Sequence, residues 1–588
     1  MVAALLLLAA LLRLRGITFG LPYPFAAVDE HLVTDHALSF AGGDLDPRYY
    51  AYPAGSFLLH AAAYRIAWLC SPHGDFAEFA AAFWVAPQQL LLVSRGVTLA
   101  CALLAVWACG RIASEAAALA GARSGRRPAA WLASGALALS LLHAANSRWT
   151  TVDAPLLAAA AIGLAAALRH VRRGGTKALV VSAVAIGTAG SFKYYGALFA
   201  LALAVAVVAR AAAEAARPDG ARFVAMAVRR LLGAAAVTAL AFLAMAPYTL
   251  LDFATFAADF AKLRDHMEEG HFGHDPNRSG VAVYAAHLLS PQVGGALLSL
   301  AALGLLSLLL SAAPRRASGR AAALVLFLPA LAHFALIARF RAQPVDYLLP
   351  LLPALVALAG VAAARLAAAL VPRVGGAVAG TVVALLGLPL FGGGVAAWQQ
   401  GSALLRPDSR VLLRAWVEER VEPGALVAAD TWLDLPLTAE CLEQMRAAKV
   451  SGVLVPQRRP RDEPLAALEA KLAAARARTA GPAFDFAYLS PIEIGLRDEL
   501  FPLLREHGAR WLVLDGSRAA RAARSGGALS ELAEWYRRHL EGPQVVARFG
   551  GEQGASGPPL AVLDLTLPEA PSLPEAPPSP GAPLRSER

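Results

Sequence analysis

The sequence predicts an α-helical polytopic membrane protein with a small α/β domain at its carboxyl end. Three observations carry that prediction. Of the 588 residues 57% are hydrophobic and only 16% charged, with a mean hydropathy of +0.52, whereas globular domains carry about 25% charged residues. Apolar runs of roughly 16 to 24 residues, long enough for a hydrocarbon core at 1.5 Å per residue, recur to about residue 397 and then stop. The net charge of +10 sits in short loops between those runs rather than in an aromatic-interleaved patch, which argues for topology signals and against nucleic acid.

The first run, residues 2–12, is short enough for a secretory h-region, but no basic segment precedes it and Ala26-Ala27 is a poor cleavage site. Extended to Leu21 it spans a membrane, with Arg13 and Arg15 snorkelling outward or turned to the protein interior. Basic clusters at Arg111–Arg127, Arg169–Lys177, Arg210–Arg230, Arg315–Arg320 and Arg365–Arg373 are placed in the cytoplasm by the positive-inside rule. Parity then makes residues 54–70, with His60, Tyr64 and Arg65, an interfacial helix rather than a span. Eleven spans result, at 2–21, 93–111, 128–147, 154–169, 178–192, 194–210, 231–250, 294–312, 321–338, 347–364 and 374–396. The amino terminus lies inside, the stretch Pro22–Ser94 forms one long outer loop, and the carboxyl domain lies outside.

Beyond Trp398 the pattern changes to an amphipathic helix at Ser409–Val421, strands at Ala425–Asp430, Trp511–Asp515 and Leu560–Leu565, and a helix at Ala528–Leu540. The predicted organisation is 1–397 transmembrane, 398–567 soluble α/β, and 568–588 a Pro-rich disordered tail. Cys70, Cys101, Cys109 and Cys441 have no metal-type spacing and suggest no disulfide framework.

The outer loops gather Asp29, Glu30, Asp153, Lys193, His266, His271, Arg339, Arg341 and Asp346 on one membrane face. Carboxylates beside cations at headgroup level suit a reaction between a phosphate-bearing lipid and a hydroxyl. A carboxylate takes the hydroxyl proton while Lys or Arg stabilises the departing phosphate. His266 and His271, in Asp265-His-Met-Glu-Glu-Gly-His271, are conceivable metal ligands but read more simply as a hydrated loop. Arg148 reads as facing headgroups, and Arg339 with Arg341 run against the positive-inside trend, which suits an anion site.

Several short stretches recur in order: Arg15-Gly16 to Gly20-Leu-Pro22, Asp29-Glu30, Gly43-Asp-Leu45, Tyr52-Pro53, Ser94-Arg95, Asn146 to Asp153, and Ser191-Phe-Lys-Tyr-Tyr-Gly196. Ala246 to Asp252, Asp346 to Pro353, Asp408 to Trp416 and Glu422-Pro-Gly424 follow, so that together they cover about three-quarters of the chain. This order resembles the GT-C glycosyltransferases of the protein O-mannosyltransferase and lipid A aminoarabinose transferase group, glycosyltransferase family 39 in the broad sense. The resemblance implies a GT-C-like transmembrane fold and an inverting transfer from a polyprenyl-phosphate sugar to a lipid, glycan or protein hydroxyl on the outer face of the plasma membrane, and the Ala-, Arg- and Gly-rich composition points to a bacterial source. It implies Asp29 as catalytic carboxylate, Asp153 as the acid beside it, and Lys193 of the Lys-Tyr motif, with Tyr194, at the donor phosphate; Glu30 joins the catalytic candidates as the neighbour of Asp29, and Arg339 and Arg341 join the phosphate site as cations on the outer side. No cofactor is chemically required, since the phosphate is already a good leaving group, although a divalent metal is compatible. The family's acceptor motifs and β-trefoil are missing here, which leaves the acceptor open. A transporter or flippase of lipid-linked glycans, or a scaffold, is the competing reading. A transporter would want charges or broken helices at mid-membrane, whereas these collect at one face.

Overall fold

The computed structural model describes residues 2–27, 29–122, 125–215, 220–275, 277–311, 316–451, 464–489, 499–526, 529–551 and 554–569. Each of the eleven predicted spans contains helix, although in 2–21 the helix ends at Leu14 and residues 15–21 are turns. Among the described residues, six helices are long and apolar enough to cross a membrane: Gln88–Leu119, Asp153–Arg173, Tyr194–Glu214, Phe223–Met245, Arg316–Ile337 and Val345–Ala403. The last holds two predicted spans, because Gly375 leaves helical geometry at φ 77 and ψ 165 inside it. Val2–Leu14, Thr176–Phe192 and Gly295–Leu309 are shorter apolar helices, and the predicted span 128–147 is divided between Arg126–Leu139 and Leu141–Ala145. The segment expected at the interface, 54–70, forms the 15-residue helix Gly55–Leu69, which is not among the helices apolar and long enough to cross. It buries Phe57, His60, Ala61 and Tyr64 and leaves Ile66 and Leu69 exposed.

Small residues let the helices approach closely, as packing inside a bilayer requires. A β-carbon at Gly304 would collide with the Leu358 carbonyl of the neighbouring helix. Three arginines do the opposite work, filling buried polar space where backbone carbonyls would otherwise be orphaned. Arg13, turned inward, donates to Ala9, Leu137 and Ala138 carbonyls and meets His143 Nδ1 at 2.7 Å. Arg148 is fully buried and donates to the carbonyls of Leu12, Arg15 and Ala397 and to Gln400 Oε1. It therefore does not face headgroups as its loop position suggested, because the end of the first helix has carbonyls that only a long donor can reach. Arg95 is the third, and it grips Glu30.

After residue 404 the chain builds a five-stranded sheet from β1 (Leu426–Ala429), β2 (Asp485–Tyr488), β3 (Ala509–Asp515), β4 (Val545–Phe549) and β5 (Leu560–Asp564), in the order β2-β1-β3-β5-β4. β2, β1 and β3 are parallel, while β5 runs antiparallel to both β3 and β4. Alternation puts Val427, Phe486, Val513 and Val562 on one face, against Trp432, Met445 and Leu468. Ala428, Leu512, Leu514 and Leu563 pack on the other against Phe501, Trp535 and Tyr536. The predicted helices and three predicted strands are present at Ser409–Arg420, Ser530–Glu541, β1, β3 and β5. β2 and β4 were not foreseen, and most of the predicted tail, from residue 570, lies outside the described residues.

The loop that follows the first helix is held from both sides. From the sheet side, Tyr23 joins the core around Trp432 and donates its hydroxyl to the Trp432 carbonyl. Phe25 packs edge-on to Trp432 at 5.5 Å, and Arg410, paired with Asp408, lies 4.5 Å over the Tyr23 ring. From the membrane side, Arg95 donates to the carbonyls of Ile17 and Phe19 and to both oxygens of Glu30.

Arg95→Met strands the buried Glu30 charge, so it is expected to cost about 3–5 kcal/mol of stability, read as a lowered thermal midpoint in detergent. The double variant Glu30→Gln with Arg95→Met should recover most of that loss, since no charge is then left unpaired. An unchanged midpoint in Arg95→Met contradicts the clamp.

Candidate active site

The two carboxylates of Asp29-Glu30 go to opposite destinations. Glu30 starts the helix Glu30–Gly42 and is fully buried. Its Oε1 accepts from Arg95 Nε at 2.8 Å, Thr150 N at 2.9 Å and Thr150 Oγ1 at 3.0 Å, while Oε2 accepts from Arg95 Nη2 at 2.6 Å. Glu30, expected among the catalytic carboxylates, thus has both oxygens engaged in a buried ion pair, an arrangement that suits positioning of the loop.

Asp29 is the N-cap of the same helix, where an aspartate ordinarily accepts from the first-turn N–H groups. Here its side chain makes no cap bond, and its backbone is left-handed at φ 58 and ψ 1. A non-glycine residue held in that region stores strain, a feature that gathers at functional sites. The carboxylate is thereby turned off the helix, and Oδ2 accepts from Tyr52 OH at 2.8 Å. Among the described residues no donor reaches Oδ1. Burial, and then the adjacent Asp29 charge, holds the Tyr52 phenol well above its ordinary range, so Tyr52 stays a donor.

Asp153 opens the helix Asp153–Arg173, and Lys193 closes Thr176–Phe192 in an extended conformation. Antiparallel packing of the two helices brings these ends together. Lys193 Nζ reaches Asp153 Oδ1 at 3.0 Å and Oδ2 at 3.1 Å, and Tyr195 OH donates to Asp153 Oδ1 at 2.9 Å. Burial works against the ammonium, but the Asp153 charge, with Tyr347 and Asp346 behind it, outweighs that and holds the Lys193 pKa above its ordinary value. The rings of Tyr347, Tyr195 and Tyr52 surround Nζ with centroids at 4.9, 5.1 and 5.9 Å. Tyr52 thus bridges the two halves, its hydroxyl on Asp29 and its ring beside Lys193. Asp346 lies within electrostatic reach of Lys193, Asp153 and Asp29.

Tyr194, expected at the donor phosphate, points elsewhere. Its hydroxyl donates to the Tyr50 carbonyl at 2.8 Å and its ring packs on Phe256 and Phe260. The 3₁₀ turn Tyr194–Phe199 decides this, sending Tyr195 inward in its place. Arg339 and Arg341 are exposed and form no ion pair among the described residues, and Arg341 Cβ lies 3.4 Å from where a β-carbon on Gly270 would stand. His266 and His271 have ring centroids 5.3 Å apart. Among the described residues no group of three His, Cys, Asp or Glu side chains is arranged to hold a metal. Tyr52, Tyr195 and Tyr347 were missed as site residues. Their neighbours Pro53, Lys193 and Asp346 had marked the segments, and the crowding of tyrosines beside charge was the signal available.

Residues 74–244 match the family model described as dolichyl-phosphate-mannose-protein mannosyltransferase. Asp153 and Lys193 fall inside the matched stretch, and Asp29 and Asp346 outside it. The matched stretch takes in the helices that Asp153 opens and Lys193 closes and three of the membrane-length apolar helices. Solved structures give likenesses along nearly the whole chain. ArnT from Cupriavidus metallidurans in the apo state is 17% identical over 95% of this chain and 97% of its own, with a TM-score of 0.49. The Archaeoglobus fulgidus oligosaccharyltransferase in the apo form is 13% identical over 92% of this chain and 73% of its own, also at 0.49. Mycobacterial arabinofuranosyltransferase AftD is 18% identical over 97% of this chain and 42% of its own, at 0.38. No curated protein matches the chain significantly.

Tyr52→Phe and Tyr195→Phe each remove one donor from a carboxylate while keeping the ring. Each should lower sugar transfer about 10- to 100-fold, the worth of a hydrogen bond to a charged group, with the thermal midpoint little changed. Wild-type rates in both variants exclude any role for the tyrosine hydroxyls.

Proposed function

We propose that the protein transfers a sugar from a polyprenyl phosphate to an acceptor hydroxyl, with Asp29 as general base and Lys193 facing the departing phosphate. The observation that carries this reading is the pairing of a strained, half-satisfied carboxylate with a buried ammonium across one tyrosine. Asp29 Oδ1 accepts the acceptor's proton as its oxygen attacks the anomeric carbon. The bond from that carbon to the phosphate oxygen breaks with inversion, and polyprenyl phosphate leaves. Transfer in this sense needs the base on the acceptor side and the cation on the leaving side. Asp153 and Tyr195 position Lys193, whose third N–H is then available to a phosphate oxygen. The family match in residues 74–244 favours transfer over transport.

In our reading the site lies on the outer face of the plasma membrane, with the amino terminus inside. The basic clusters support it, since they fall at the opposite helix ends from Asp29 and Asp153. Glu115, for example, is ringed by Arg111, Arg126 and Arg172, 20 residues along the same helix from Arg95. The organisation into 1–397 catalytic, 398–567 outer α/β and 568–588 tail belongs to the same proposal. The acceptor is a lipid, glycan or protein hydroxyl.

Loss of a general base forfeits about 10²–10⁴ in rate, so Asp29→Asn should nearly abolish transfer at wild-type donor affinity. Lys193→Ala should weaken donor binding by roughly 10- to 100-fold, the worth of a charge-assisted contact. Wild-type turnover in Asp29→Asn overturns the mechanism, and unchanged donor affinity in Lys193→Ala reduces the lysine to an anchor. A reporter fused after Gly121 should read cytoplasmic and one after Glu78 outside, and the reverse pattern overturns the topology.

A further inference from the structure

The seam between the membrane helices and the α/β unit carries a second group of charges. Its centre is the turn Gly270–Asp275, which leaves the helix Phe253–Glu269 and touches both units. On the membrane side His274 Nδ1 accepts from Gln343 N at 2.8 Å, and Arg341 flanks Gly270. On the sheet side the turn lies against the helix Gly516–Ser525, where Ser525 Oγ accepts from Gly273 N at 2.8 Å. Arg521 donates to the Phe272 carbonyl at 3.0 Å, and its guanidinium stands 4.8 Å over the Phe272 ring.

Guanidinium and imidazole groups line this seam. Arg521 Nη2 comes to 3.4 Å from His271 Nε2, and the rings of His266, His271 and His274 follow one another with centroids 5.3 and 5.8 Å apart. Arg524 adds an exposed guanidinium one helical turn on, and donates to the Gly273 carbonyl at 3.4 Å. Burial first, then Arg521, His266 and His274, lowers the His271 pKa, while Asp29 pulls it the other way. Arg521 is likewise lowered by burial and by Arg518 and Arg524, with Asp515 opposing. The acids on the preceding helix do not neutralise these guanidiniums: Asp265 is taken by Arg264, and Glu268 and Glu269 stand exposed. The hydrogen bonds of Arg521 and Arg524 go to backbone carbonyls and an imidazole rather than to a carboxylate, which leaves positive charge that an incoming anion would meet.

We infer that this seam is an acceptor subsite, in which His271, Arg521 and Arg341 recognise an oxyanion carried by the acceptor close to the hydroxyl it presents to Asp29. The inference rests on the reading of Asp29 as the base. It assigns the α/β unit a contact with substrate, made by Arg521, and separates that contact from the donor phosphate, which lies at Lys193. A fork of guanidinium donors beside an imidazole suits phosphate or carboxylate oxygens and distinguishes such an acceptor from a neutral alcohol.

The test uses the full-length protein in detergent, with octyl glucoside and octyl glucoside 6-phosphate as probes. Affinity for each is measured in the presence and absence of a polyprenyl-phosphate sugar, so the readout does not depend on turnover. The phosphorylated probe should bind at least about tenfold more tightly, the worth of one charge-assisted contact. Arg521→Ala should bring the two affinities to within about twofold of each other while donor affinity holds. Arg521→Lys, which keeps the charge, checks that a loss is not misfolding by restoring part of the preference at an unchanged thermal midpoint. Equal affinities in the wild type overturn the subsite. So does a fall of donor affinity in Arg521→Ala, because the seam would then hold the donor's phosphate. Loss of transfer in Asp29→Asn with the probe preference intact leaves the subsite standing, whereas an active Asp29→Asn variant with the same preference removes only the mechanism beneath it.

Discussion

The ion pair between Glu30 and Arg95 is the constraint from which the site follows. A carboxylate and a guanidinium without solvent must satisfy each other fully, and they do so while Arg95 also holds the carbonyls of Ile17 and Phe19 and Glu30 receives both donors of Thr150. Three stretches far apart in sequence are thereby locked at one point: the end of the first helix, the start of the helix Glu30–Gly42, and the segment that leads into Asp153. The residue before Glu30 has little freedom left. Asp29 takes the left-handed conformation because its successor cannot move, and its carboxylate is displaced from the capping position it would otherwise adopt.

The second half of the site follows from where helices end. Asp153 begins one helix and Lys193 ends the next, so a short turn between antiparallel neighbours delivers opposite charges to the same depth. Tyr52 couples the halves, and the rings around Lys193 keep water from the ammonium, which strengthens every charge interaction there. The α/β unit completes the arrangement from the other side. Tyr23 and Phe25 anchor the loop that carries Asp29 onto Trp432, and the turn Gly270–Asp275 ties the rim of the site to Arg521. The α/β unit thus supports the loop that carries Asp29 and touches the turn Gly270–Asp275.

Much of this was legible in the sequence, for physical reasons that differ by element. Spans declare themselves because every residue in a bilayer must be apolar or satisfied, and every predicted run contains helix. The convergence of Asp29, Asp153 and Lys193 was readable because each sits at the end of an apolar run, where depth is fixed even though lateral position is not. Burial was not readable. Glu30 and Arg148 stand in polar stretches and look solvated, yet both are enclosed by backbone and by each other's neighbours. Tyr194 and Tyr195 could not be told apart, since a 3₁₀ turn rather than an α-helical one decides which faces Lys193. β2 escaped because four residues are too few for a period, while the alternation in Val545–Phe549 was a usable sign of β4 that went unread.

The stereochemistry of transfer tests the central claim most directly. With Asp29 as a base on the acceptor and no enzyme nucleophile in the path, the sugar passes once from phosphate to hydroxyl, and the anomeric configuration of the product, read from its one-bond coupling at the anomeric carbon, should be the inverse of the donor's. Retention would require a covalent sugar on the enzyme, and would contradict the assignment of Asp29 as general base.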